Sequence, residues 1–388
     1  MSKYQISVGK GKIEREEIIN FLSKIFGRDY DDSRRIKEVI FDAEPSISPG
    51  NFIMACSRHG ELLGLVRIVE RNILLDKSVI SAGCISSMGV KPEWRGQGIA
   101  SELMNKAIEV MTSRNMDISL VYGRRAVDGF YSRFGYYGVG RYVDLEILSS
   151  SASKSSIDIR PYKNNDIKKC MEFYVNTYKP LAGSVLRNRA IWEYLFLRME
   201  RGIGGFKLFM CLENNKTIGY IVVFDNKLIE ASLPPRVFPF VPNLLSSLGI
   251  QSISTHPRHP LYIYCSTRMN TIQKIRFAFD GGYMARILNH GALLKKLGPS
   301  LASRSTVIGM SGETIRLLNY ECELSRGKIS RASGADDITF DKTETAVQFV
   351  LGVIHPQDVA GVKWTSKKPW IPYLFPELYY HTSEWDEV

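Results

Sequence analysis

The chain has 388 residues, 44% of them hydrophobic and 23% charged, which suits two or three packed domains better than one. No stretch approaches twenty apolar residues, so no membrane-spanning helix is expected. The opening Met1-Ser2-Lys3-Tyr4-Gln5 leads into polar sequence and lacks the apolar core of a secretory signal. The net charge of +11 is uneven, because residues 151–300 hold 21 basic against 9 acidic residues. No aromatic-interleaved basic run accompanies the excess, so nucleic acid ranks last as a partner, behind a solvated face or attraction of a polyanionic nucleotide.

Along the chain, Glu16 to Phe26 carries a helical apolar face. Strands are expected at Asn51–Cys56, Leu62–Val69 and within Val79–Val90, then a helix from Ile99 to Met111 and a strand at Ile118–Tyr122. Strand, turn, helix and strand within about forty residues make a βαβ unit, hence an α/β domain. Ser149 to Ser156 is small and polar and reads as a linker. A helix over Asp166–Tyr178 follows, then strands Phe206–Leu212 and Thr217–Phe224 paired across Asn214-Asn215. Short strands are expected between Ser305 and Ser330 and at Ile338–Phe340, with a helix over Thr343–Leu351 and an acidic tail, Glu384-Trp385-Asp386-Glu387-Val388. The boundaries fall near 150 and 290, giving domains 1–150, 151–290 and 291–388.

The chemistry gathers at Met88-Gly89-Val90-Lys91-Pro92-Glu93-Trp94-Arg95-Gly96-Gln97-Gly98-Ile99-Ala100, where a strand ends and a helix starts. The first amides of a helix have no intrahelical partners, and with the helix dipole they form an anion site suited to a pyrophosphate. Gly96 and Gly98 remove side chains that would block close approach, and Arg95 adds positive charge. The turn is neither a Walker loop nor a Gly-x-Gly-x-x-Gly dinucleotide turn. Downstream, Tyr131 stands in Phe130-Tyr131-Ser132-Arg133-Phe134-Gly135-Tyr136. A phenol with a pKa near 10 can return a proton to a departing thiolate, and the same tyrosine could equally be one ring of an aromatic core. The six cysteines are scattered with no Cys-x-x-Cys pair, as for buried thiols in a reducing, cytoplasmic setting. The six histidines lack metal spacing, and no metal is expected.

Val90-x-Pro92 followed by Arg95-x-x-Gly98-x-Ala100 resembles the cofactor motif of the GNAT superfamily of N-acetyltransferases. Tyr131-Ser132-Arg133-Phe134-Gly135-Tyr136 resembles the enhanced-intracellular-survival (Eis) branch. The resemblance implies two tandem GNAT-like mixed-sheet folds, the second degenerate, followed by a small α+β sterol-carrier-protein-like domain. It implies acetyl-CoA as co-substrate, with Arg95, Gly96, Gln97, Gly98, Ile99 and Ala100 on the pyrophosphate and Met88, Gly89 and Val90 along the pantetheine arm. It casts Tyr131 as general acid and the C-terminal carboxylate of Val388 as an aid to deprotonating the amine, a part that Asp386 or Glu387 could also play. The acceptor would be a small-molecule or lysine-type amine, met by Asp29, Asp31, Asp32 and Glu44. Assembly into a homo-hexameric ring belongs to the same family picture. Two other readings stay open: a tandem-fold transferase with another acyl or aminoacyl donor, and an idle acyl-CoA-binding protein.

Overall fold

The computed structural model describes residues 3–9, 15–27, 29–123, 127–149, 157–277 and 282–386. The linker residues 150–156 and the terminal Glu387 and Val388 lie outside them. In chain order the first stretch gives β1 (Tyr4–Val8), α1 (Arg15–Phe26), α2 (Tyr30–Ala43), β2 (Phe52–Ser57), β3 (Leu62–Leu75) and β4 (Ser78–Val90). It continues with α3 (Ile99–Ser113), β5 (Ile118–Gly123), α4 (Asp128–Ser132) and β6 (Tyr137–Gly138). The middle stretch holds β7 (Arg141–Ser149), β8 (Asp158–Pro161), α5 (Ile167–Tyr178), α6 (Arg189–Glu200), β9 (Phe206–Glu213), β10 (Lys216–Phe224) and β11 (Lys227–Ser232). After it come α7 (Val241–Ser247), β12 (Ser252–Ser254), α8 (Pro260–Arg268), β13 (Asn270–Phe277) and β14 (Gly282–Ile287). The last stretch holds α9 (His290–Val307), β15 (Thr314–Leu317), β16 (Tyr320–Glu323), β17 (Lys328–Arg331), β18 (Ile338–Phe340), α10 (Ala346–Val350), β19 (Val362–Trp364) and α11 (Ile371–Leu374).

Local signals set most of these elements. Asn214 and Asn215 take φ of 49° and 60°, and the register closes a two-residue hairpin between Glu213 and Lys216, whose hand matches the twist of the flanking strands. In α3, Ile99, Leu103, Ala107 and Met111 are all buried, as the four-residue spacing predicts. Several helices, among them α2, α6, α7, α8 and α9, were not apparent in the sequence; α9 runs for 18 residues through Gly298-Pro299, so the strand texture expected from Ser305 begins only at Thr314. Packing sustains the helix across its own breaker, since Leu293, Leu294, Leu297 and Leu301 are all buried in one cluster.

The strands form three sheets, ordered β1-β2-β3-β4-β5-β14-β6, β13-β7-β12-β11-β10-β9-β8 and β17-β16-β15-β18-β19. The sequence boundaries near 150 and 290 do not coincide with the sheet boundaries. β7, which precedes the linker, pairs with β12 and β13 of the second sheet, and β14, which follows it, lies between β5 and β6 of the first. Each of these two sheets is completed by a strand from the other side of the linker. One face of the first sheet packs on α3 through Ile53, Val66, Ile68 and Ile85. On the opposite face, Leu62 and Leu65 meet α1, while Val69, Ile73 and Cys84 join the buried cluster of the last stretch.

Candidate functional site

The turn after β4 has the geometry its sequence requires. Residues 92–94 form one 3-10 turn, in which the Arg95 amide donates to Pro92 O at 3.2 Å and Arg95 Nε donates to Val90 O at 3.2 Å. Gly96 and Gly98 take φ of 77° and 86°, a left-handed backbone that favours glycine, and Gly98 caps α3. A Cβ on either would meet no protein atom within 4 Å, so it is not packing that demands glycine here. The space in front belongs to a cleft of about 360 Å³ lined by Val90, Arg95, Gly96, Gly98, Phe130 and Arg133, among others. The amides of Ile99 and Ala100 have no carbonyl one turn back, so helix end, arginines and cleft together suit a phosphate-bearing ligand. Arg133, held over the Phe130 ring at 5.1 Å, is a second cation at this cleft. Its place in the Tyr131–Tyr136 motif was the only sequence signal for it.

Beside the turn, two strands part. β4 pairs with β5 in parallel over Ala82–Ile85 against Ile118–Val121. Beyond that point Tyr122 and Gly123 pair with β14, while Gly89 and Val90 stay with β3. The β3–β4 register shifts between Leu65 and Arg67, opposite Ser87 at φ 50°, a bulge that bends β4 away from β5. The Lys91 amide donates to Leu63 O on the β3 side at 2.9 Å. Backbone alternation then turns the amides of Met88 and Val90 toward the opening, with Gly89 facing β3.

Tyr131 on α4 is 8% exposed and sits in the cluster that includes Ile85 and Val121, the last paired residues of the two strands; Met88 packs against the same cluster. Its ring meets Phe130 and Tyr136 edge-on at centroid distances of 5.3 and 6.1 Å. The catalytic and core readings of this tyrosine therefore share one location. The neighbouring Tyr136 is tied to Ser119 Oγ at 2.6 Å and its phenol is pushed up by burial, which gives it a structural part.

Three of the four expected acceptor carboxylates already have partners. Asp29 Oδ1 accepts from the Asp32 amide at 2.8 Å as the N-cap of α2. Asp32 pairs with Arg35 at 2.9 Å, and Asp31 is exposed. Glu44 is buried; it accepts from Ser46 Oγ at 2.6 Å and pairs with Arg71 at 2.8 Å and Arg67 at 3.5 Å. Sequence position put these residues near the acceptor loops, but only the fold shows which charges they neutralise.

The tail folds back into the second unit. His381 N donates to Ala182 O at 3.0 Å, and Trp385, fully buried, packs edge-on against Trp192 at 5.5 Å. Asp386 accepts from Arg187 Nε at 2.8 Å and Nη2 at 2.7 Å, while Glu230 takes Nη1 at 2.8 Å and Nη2 at 2.6 Å. Val388, two residues further on, lies outside the described residues. Burial pushes the thiols of Cys84, Cys170, Cys211, Cys265 and Cys322 up to about 12, so they are poor nucleophiles. His259 is an N-cap, accepting from the Leu261 amide at 3.2 Å, with Nε2 2.8 Å from Ala231 O. Among the described residues no cluster of His, Cys, Asp or Glu could hold a metal, and no helix is long and apolar enough to cross a membrane.

Residues 11–139 match the acetyltransferase (GNAT) domain family. A stretch of 70 residues, 18% of this chain, is 27% identical to an aminoglycoside 2'-N-acetyltransferase of Mycolicibacterium fortuitum, and spans 36% of that protein. Among solved structures, a GCN5-related N-acetyltransferase from Anabaena variabilis is 15% identical with a TM-score of 0.70, over 96% of this chain and 97% of its own. A GCN5-related N-acetyltransferase from Kribbella flavida is 14% identical with a TM-score of 0.68, over 99% of this chain and 100% of its own. Eis1 from Mycobacterium abscessus is 15% identical with a TM-score of 0.60, over 94% of each chain. At these identities the likeness is one of fold, and it runs nearly end to end.

Proposed function

We propose that this chain, which carries an acetyltransferase (GNAT) domain over residues 11–139, transfers the acetyl group of acetyl-CoA to a primary amine by direct attack. The observation that carries the reading is the parting of β4 from β5 beside a cleft of about 360 Å³ at the glycine turn. The amides around Arg95–Ala100, with Arg133, would hold the pyrophosphate. The β4 edge at Met88, Gly89 and Val90 would take the pantetheine arm as a further strand. The Met88 amide would donate to the thioester carbonyl as negative charge develops on its oxygen.

As the nitrogen–carbon bond forms and the carbon–sulfur bond breaks, the amine's proton passes to a base and Tyr131 protonates the thiolate. The C-terminal carboxylate of Val388 is the base proposed here. Asp386, the alternative within the tail, is already taken up by Arg187. In this reading the first unit is the catalytic one, the second lacks the Arg-x-x-Gly-x-Ala turn of the first, and residues 291–388 form the sterol-carrier-like domain. Cytoplasmic location and a hexameric ring complete the same proposal. The test is thiol release from acetyl-CoA over a panel of amines. Tyr131→Phe should cost turnover on the order of 10²-fold or more while the Kd of acetyl-CoA stays unchanged; unaltered turnover would remove Tyr131 from the mechanism.

A further inference from the structure

The face of the first sheet that α1 and α2 cover holds more positive charge than its one buried carboxylate balances. Glu44 serves two guanidinium groups, Arg71 and Arg67. Arg67 is 3% exposed, and its Nε and Nη1 make no hydrogen bond, while Nη2 donates to Ser86 Oγ at 3.3 Å. Buried donors without acceptors are costly, and charged ones more so. Beside Arg67 stands Lys37 of α2, half-buried, with no ion pair among the described residues. Burial and the neighbouring Arg67 push its ammonium down to about 8.

Both cations lie against the segment of β4 that borders the opening. Arg67 faces Ser86 across the β3–β4 ladder. Lys37 Nζ lies 5.3 Å from the Phe26 ring centroid, and Phe26 leans on Gly89 so closely that a Cβ there would meet its ring at 3.3 Å. Of the carboxylates expected near the acceptor amine, Asp29 is a helix cap, Asp32 is in a surface pair, Asp31 is exposed and Glu44 is pinned. A second positive charge brought here would meet Lys37 and Arg67, and the buried carboxylate beside them, Glu44, is already shared by two guanidinium groups.

We propose, resting on the acetyltransferase reading above, that the acceptor is an amine carrying an anionic group, a carboxylate or phosphate ester, bound by Lys37 and Arg67 on the α1–α2 face of β4. The anion supplies the acceptor oxygens that Arg67 lacks. The same two cations lower the pKa of the ammonium beside them and so favour the neutral amine that attacks. Specificity follows from charge: a polyamine or aminoglycoside is repelled where an amino acid or an amino-sugar phosphate is held.

The test uses the full chain, acetyl-CoA and matched acceptor pairs: lysine against cadaverine, and glucosamine 6-phosphate against glucosamine, with kanamycin as polycation. The anionic member of at least one pair should lead by about 10-fold or more in kcat/KM, and the winning pair identifies carboxylate or phosphate. In Lys37→Met that ratio should fall toward one through a rise in KM for the anionic member; Arg67→Gln should act the same way where it folds. A measurement free of turnover accompanies it. Glutarate or inorganic phosphate should raise the thermal midpoint of the wild-type chain and leave that of Lys37→Met unmoved. Preference for cadaverine or kanamycin, or no stabilisation by either anion, overturns this inference. Absence of acetyl-CoA binding by calorimetry overturns instead the functional reading beneath it.

Discussion

Arg187→Met should be the most damaging single substitution outside the cleft. The Arg187 side chain is wholly buried, as is that of Glu230, and that of Asp386 is 2% exposed. The guanidinium gives four hydrogen bonds of 2.6–2.8 Å to the two carboxylates. Its carbon lies 4.2 Å from the ring centroid of Tyr174 and 4.8 Å from those of Trp192 and Trp385. Methionine fills much of the volume but leaves two carboxylates buried without the cation they share, and among the described residues Tyr220 still donates to Glu230, at 2.7 Å. Removing one partner of a buried ion pair costs roughly 3–5 kcal/mol, whereas replacing the whole set by neutral groups is often tolerated. Urea unfolding should therefore show a loss of about 3–5 kcal/mol for Arg187→Met, and recovery of more than half in Arg187→Met/Glu230→Gln/Asp386→Asn. Asp386→Ala leaves the Arg187–Glu230 pair intact, so its loss should be nearer 1–3 kcal/mol, with the tail newly open to protease. The reasoning is refuted if Arg187→Met lies within about 1 kcal/mol of wild type, or if the triple variant is worse than the single one.

Gly98→Val should cost about 1 kcal/mol of backbone strain at φ 86° and push a branched side chain into the cleft. Calorimetry should find the Kd of acetyl-CoA raised at least ~10-fold, and an unchanged Kd would move the cofactor elsewhere. Stability should also rise with pH between about 4 and 6.5. Burial pushes His259 down to about 4 and lowers His256 as well, so in that window the unfolded chain binds protons that the folded chain does not. His259 alone accounts for up to about 3 kcal/mol of this, lost as the solution is acidified from pH 7 toward 4. His259→Asn, which keeps an N-cap acceptor, should flatten the urea midpoint measured against pH; an equally steep profile would assign the slope to other groups.

The sequence by itself determined what depends on near neighbours. The apolar spacing of Ile99, Leu103, Ala107 and Met111 predicts α3, the Asn214-Asn215 pair predicts its hairpin, and Gly96 and Gly98 mark the left-handed turn ahead of the helix. These signals are local because one turn of helix or one hairpin is settled by a few dihedral angles and one buried face. Tertiary structure alone decided the rest. β7 and β14 read as ordinary strands, and nothing within either segment says that each completes the other unit's sheet, since pairing is a choice among distant edges. Gly298-Pro299 should break a helix, yet the leucines on both sides are buried together and α9 runs through. Asp29, Asp32 and Glu44 read as acceptor carboxylates until the fold supplied their partners. The tail reads as acidic and as a source of a catalytic carboxylate, while its Trp385 and Asp386 are buried around Arg187, 198 and 199 residues away along the chain. A charge is interpretable only with its counter-charge in view, and the counter-charges here come from other strands, another unit and the far end of the chain.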